Sequence, residues 1–162
     1  MSSIMANDVR THYNRSFATL RGIVEAFPED KWLEAHGDVY YIPCRIAYHL
    51  ATYIDRHMTD GFKDREFDAK CPYGDWRKGD AATLPGKAAF LAYFDEVTDR
   101  AQKVLAAVDD AGLAEPIEPE RERLGASRLA LHLYMMREIC AHEGELNKML
   151  IDDGLEDVWV NK

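Results

Sequence analysis

The segment M-R-E-I-C-A-H-E-G-E-L, ending at Leu146, carries a carboxylate and an imidazole four residues apart, Glu138 and His142. At about 100° per residue they project from one helix face, one turn apart, where two side chains can share a metal ion or a hydrogen bond. Leu131, Met135, Ile139, Leu146 and Met149 read as the apolar stripe of that face. A charge placed there must be neutralised, hydrogen-bonded or bound to a cation, because an unpaired buried charge is strongly destabilising. A second imidazole, His49, stands in another stripe, Ile42, Ile46, His49, Leu50, Tyr53, Ile54 and His57. Alone, His49 reads as an ordinary core histidine. Beside Glu138 and His142 it completes two imidazoles and one carboxylate, a donor set that holds Zn²⁺ with an open position and also suits Fe(II) or another divalent ion. Tyr53, one turn beyond His49, and Glu145, one turn beyond His142, are placed to orient a ligand or move a proton in the same pocket. The competing reading is a plain Glu–His pair on a helix surface.

The remaining chemistry-bearing residues fit blander roles. His36 lies in a connector and reads as solvated; His57 is near a helix end, where solvent or the helix dipole accounts for it. His132, ten residues before His142, points about 80° away from it and is left out of the site. His12 reads as a boundary residue. Cys44, Cys71 and Cys140 are odd in number and form no C-x-x-C pair, which points to reduced thiols in a cytoplasm-like compartment. Cys44 follows Pro43 at a helix start, where the dipole can lower a thiol pKa, although a small core residue is the simpler reading.

Four amphipathic helices must position these groups. Val9, Tyr13, Phe17, Leu20, Val24 and Phe27 advance by threes and fours, and Pro28 closes that helix. A connector holding Trp32 and Gly37 follows. Pro43 suits the first turn of helix two. Residues 63–85, rich in charge with Gly74, Gly79 and two prolines, read as a long loop. Its aromatics, Tyr73 and Trp76, would either roof a pocket or peg a crossover to the bundle. Helix three is expected over 87–110, with Gly112 as its stop, then a proline-broken charged linker, then helix four from about Leu124 to Asp152. Leu155, Val158, Trp159 and Val160 are expected to fold back on the bundle or on a second subunit. No strand-like alternation persists, so the class is all-α: a single domain over 1–162, a four-helix bundle with a long crossover between helices two and three.

The length supports one core without disulfide staples. A formal charge of −9 disfavours nucleic acid and anionic membrane surfaces as partners. With no long apolar run and no basic-then-apolar leader, a soluble cytoplasmic chain is the expectation.

F-P-E-D-K-W after helix one, I-P-C-R-I-A-Y-H-L-A around His49 and H-E-G-E-L-N at His142 together resemble the DinB-like four-helix-bundle metalloproteins, which include YfiT-type hydrolases and thiol-dependent transferases. The resemblance spans nearly the whole chain. It implies one divalent metal ion (Zn, Ni, Mn or Fe), a small-molecule substrate, a low-molecular-weight thiol cosubstrate in the transferase branch, and a homodimer. It places His49 and His142 on the family's first and last histidines. Two positions depart from its pattern: Glu138 stands where the family has a further histidine, and Glu145 where it has glutamine. The first swap makes the site harder and more anionic, or marks a metal site that has been lost, leaving a metal-free ligand-binding or interaction module. DNA repair is suggested by the family's name alone, against the charge balance.

Overall fold

In the computed structural model, which describes residues 3–78 and 80–160, the apolar stripes form long helices and face one another. The helices in order are α1 (Ile4–Ala26), α2 (Pro43–Met58), the one-turn α3 (Phe67–Lys70), α4 (Lys87–Ala107), the short α5 (Asp110–Ala114) and α6 (Arg128–Asp152). The core of the all-α fold is a four-helix bundle of α1, α2, α4 and α6. Tyr13, Phe17, Leu20 and Val24 of α1 are buried, and the helix stops where Phe27 turns extended ahead of Pro28. Pro43 occupies the first turn of α2, as its missing N–H allows.

Cross-helix contacts set the directions. Tyr48 meets Tyr93 with ring centroids 5.8 Å apart, and Asp55 takes a two-pronged hydrogen bond from Arg100 at 3.0 and 2.9 Å, so α2 and α4 run parallel. His49 meets His142 and Tyr53 faces Tyr134, so α2 and α6 run antiparallel. Parallel neighbours oblige the chain to travel back along the bundle between them, and residues 59–86 make that crossover. It is not one featureless loop. It contains two 3-10 turns, Asp60–Lys63 and Ala81–Thr83, with α3 between them.

Side chains of α2 hold the crossover down. Tyr48 Oη donates to Gly74 O at 3.1 Å and accepts from Tyr73 N at 3.1 Å. Arg45 donates to the Trp76 carbonyl, and the buried Asp68 accepts from both Arg56 and Arg77.

Two helix bounds differ from the periodicity. α4 ends at Ala107, because Val108 is extended and the Asp109 carboxylate caps a new helix by accepting from Gly112 N at 2.8 Å. Gly112 therefore sits inside α5 instead of stopping α4. α6 starts at Arg128, four residues later than expected: Leu124 ends a 3-10 turn (Pro119–Leu124), and the Ser127 hydroxyl accepts from Ala130 N at 3.3 Å as the cap. Between them Gly125 has φ 149°, and a Cβ there would lie 2.3 Å from Ala130 Cβ.

The C-terminal segment folds back on the bundle. The Asn147 side chain both donates to Val158 O (3.0 Å) and accepts from Val158 N (2.8 Å), and Val160 N donates to the Thr19 hydroxyl at 3.0 Å. No helix among the described residues is long and apolar enough to cross a membrane. The three cysteines form no disulfide. Cys44 is a core residue whose Sγ donates to Pro85 O, and burial drives its thiol pKa up, overriding any helix-start effect.

Candidate functional site

Four-residue spacing on two antiparallel helices lines up two ladders of polar side chains: His49, Tyr53 and His57 on α2, and Tyr134, Glu138 and His142 on α6. At one end the His49 and His142 rings meet edge to face, centroids 5.1 Å apart at 84°. Tyr53 lies 6.0 Å from His49, 4.5 Å from His57 and 6.5 Å from Tyr134 between ring centroids. The structure thus brings together His49, His142 and Tyr53 from the sequence-derived set, and Glu145 joins them by a 2.7 Å contact to His142 Nδ1.

Trp76 of the crossover covers this end, its ring 4.0 Å from that of His49. Tyr73 serves differently, packing on Tyr48 and Tyr93 and donating to Ala89 O at 3.4 Å. Of the two roles open to the crossover aromatics, Trp76 takes the roof and Tyr73 the peg. Beneath Trp76 a cavity of about 310 Å³ runs along α2 past His49, Tyr53 and His57.

Burial, then the neighbouring His142, then Arg77 lower the His49 pKa to about 4, so the ring is neutral at pH 7 and has a lone pair to give. His49 Nδ1 is buried without a hydrogen-bond partner. The Tyr53 hydroxyl is also buried with no partner of hydrogen-bonding geometry. Burial foremost, then Tyr134 and Glu138, push its pKa up, which keeps it a proton donor.

Two imidazoles on one tetrahedral ion, each nitrogen about 2 Å from it, would hold their ring centroids about 5 Å apart; the observed spacing fits. Glu145 bound to His142 Nδ1 leaves Nε2 as the ligating atom, the usual way in which a carboxylate orients a metal-binding imidazole. Glu138 is the member not drawn in: it is half-buried and its Oε1 accepts from Arg137 at 2.9 Å. Among the described residues no group of three or more His, Cys, Asp or Glu is gathered closely enough to hold a metal ion. The histidine pair fits a divalent ion; the carboxylate would first have to leave Arg137.

Several site and core residues differ from the sequence reading. His57 is buried, not solvated at a helix end: Arg121 donates to its carbonyl at 2.9 Å, and burial, ahead of the nearby Arg121, lowers its pKa to about 4. His36 is half-buried, 3.5 Å from the Asp153 carboxylate. His132 does lie off the site, with Nδ1 3.2 Å from the Tyr13 hydroxyl, and His12 is exposed. Glu138 and His142 border the apolar stripe of α6; the carboxylate inside it is Glu143, 2% exposed. The signal was present in the spacing, since Met135, Ile139, Glu143, Leu146 and Leu150 advance by fours and threes, one position round from Glu138 and His142. Arg121 and Asp68, both buried, had no such periodic marker.

Compared with known proteins, residues 12–145 match the family model described as the DinB superfamily. No curated protein matches the chain.

Proposed function

Because the chain belongs to the DinB superfamily, we propose that the Trp76-covered end of the α2–α6 seam is a small-molecule active site built on a divalent metal ion held by His49 and His142. The facing imidazoles, with His142 fixed by Glu145 and His49 Nδ1 unpartnered, carry this reading. Glu138 is the third ligand, exchanging Arg137 for the ion. Bound there, the ion would supply an acidified water for hydrolysis, or hold a low-molecular-weight thiol as thiolate for transfer to an electrophile.

The chain's own residues supply the rest. Neutral His49 offers a lone pair without a prior deprotonation step. Glu145 fixes the tautomer and tilt of His142. The Tyr53 hydroxyl, kept protonated, donates a hydrogen bond or a proton to the reacting group. Trp76, lying against the His49 ring, shields that ligand from water. We assign the chain to a cytoplasmic homodimer with a small molecule, not nucleic acid, as its substrate; the three unbridged cysteines support the compartment and the net charge of −9 the exclusion of nucleic acid.

Elemental analysis of untagged protein, as purified and after reconstitution with Zn²⁺, Ni²⁺, Mn²⁺ or Fe²⁺, is expected to show close to one equivalent of metal. His49→Ala and His142→Ala are each expected to abolish uptake, and Glu138→Gln to weaken it. Failure of all four ions to bind would sink the proposal. One observation favours a metal-free ligand-binding module instead: the Glu138 carboxylate rests on Arg137. On that reading Glu138→Gln leaves metal content unchanged.

A further inference from the structure

The cavity beside the histidine pair has a charge opposite to that of the molecule. Its wall carries four arginines, Arg56, Arg77, Arg121 and Arg123, against two carboxylates, Asp68 and Glu120, in a chain whose formal charge is −9. Three of the guanidinium groups have structural work. Arg56 and Arg77 share Asp68, which ties the crossover to α2. Arg121 binds Glu118 and the His57 carbonyl and lies over the Phe62 ring, 3.8 Å from its centroid. Arg123 does not: among the described residues no ion pair or hydrogen bond holds it, and it is exposed where it lines the same cavity as Tyr53 and His57 of the α2 wall. On that wall His49 Nδ1, Tyr53 Oη and His57 Nδ1 are all buried without partners. With His49 Nδ1 reserved for the metal ion, the exposed Arg123 guanidinium, the Tyr53 hydroxyl and a ring N–H of His57 remain as donors without acceptors around one cavity.

We propose that this cavity binds the oxyanion of a small organic acid, a carboxylate or phosphate group, with Arg123 as its principal contact and Tyr53 and His57 supplying the remaining hydrogen bonds. This rests on the reading of the same cavity as the substrate site and adds the substrate class. The oxyanion sits toward Arg123, and the rest of the molecule extends under Trp76 toward His49. About 310 Å³ suits a molecule at the small end of the range that protein pockets enclose. Guanidinium is the side chain best matched to carboxylate and phosphate, through paired N–H groups.

Calorimetric titration with succinate, with inorganic phosphate and with neutral succinamide, at constant ionic strength and with a chelator present, tests the proposal. Succinate or phosphate is expected to bind and succinamide not to. Arg123→Gln should weaken the binding at least about tenfold, the loss of one charge-assisted hydrogen bond. Arg65→Gln, at an exposed arginine away from the cavity, should leave it unchanged. The tighter of the two anions identifies the oxyanion. Equal binding to wild type and Arg123→Gln, binding of succinamide as tight as that of succinate, or no anion binding would overturn the proposal. The chelator separates this test from that of the metal: anion binding with failed metal uptake removes the metal reading alone, and metal uptake without anion binding removes this one alone.

Discussion

Trp32→Ala is expected to cost about 4 kcal/mol of folding stability, the range for emptying an aromatic core position. The ring is 1% exposed and packs between Phe27, at 6.2 Å, and Phe90, at 5.4 Å between centroids. Its Nε1–H donates to Pro85 O at 3.0 Å, while its carbonyl accepts from Cys44 N at 3.1 Å. One residue of the connector thus joins the end of α1, the start of α2 and the start of α4. Trp32→Phe keeps most of the volume and loses the hydrogen bond, so its expected cost is about 1–2 kcal/mol. Urea denaturation checks both: the midpoint should fall with little change in slope, and further for alanine. A loss under about 1 kcal/mol for alanine would contradict the packing.

Glu143→Gln is expected to stabilise the protein by about 3 kcal/mol at pH 7, with the gain vanishing toward pH 4. Burial raises the Glu143 pKa to about 8, and Oε1 has no partner. The folded chain therefore holds a proton that the unfolded chain releases above about pH 4.5. Stability from this group is fully present below that value and drains away as pH rises to about 8. Three histidines act in the other direction. His49, His57 and His132 are each lowered to about 4 by burial first of all. Between the ordinary histidine value of 6.5 and that point, the unfolded chain takes up protons that the folded chain refuses. Their contribution is intact above pH 6.5 and lost on acidification. Together, in metal-free protein, the signs put the stability maximum near pH 6.5, with a steep acid limb and a gentler alkaline one. Melting temperatures across pH 4–9 in the presence of a chelator would show it, and Glu143→Gln should flatten the alkaline limb. An unchanged alkaline limb in that variant would show that Glu143 is not the group responsible.

The helices were legible because each carries a stripe of period three to four, and Pro28 and Pro43 mark ends that need no tertiary information. The bundle and its long crossover followed from four such stripes and one charged, glycine-bearing interval. What escaped was set by single local contacts. Nothing in the apolar period distinguishes Val108 as an extended break, or Gly125 as the turn that delays α6 to Arg128. In the site, the facing of His49 and His142 was readable from two stripes, and the bond of Glu145 to His142 from helical spacing. The Glu138–Arg137 contact was not, because adjacent residues on a helix point apart and only the actual rotamers brought these two together. The stripe of α6 was read one position off its axis, so Glu143 was passed over in favour of its neighbour His142. The arginine-lined cavity was invisible for another reason: its walls come from α2, the crossover and the linker before α6, and only the fold collects them.

The clasp between the C-terminal segment and the bundle has a consequence for how the chain assembles. Val160 and Thr19 are separated by 141 positions, and their bond joins the segment after α6 to α1. Once α1 and α6 have docked, most of the entropy cost of closing that loop has been met by their own contact. The clasp is thus expected to form late in folding and to open early in unfolding, its strength expressed in how long the native state persists more than in how fast it forms. The amides of Val158 and Val160 are the two whose solvent exchange reports when that latch is open.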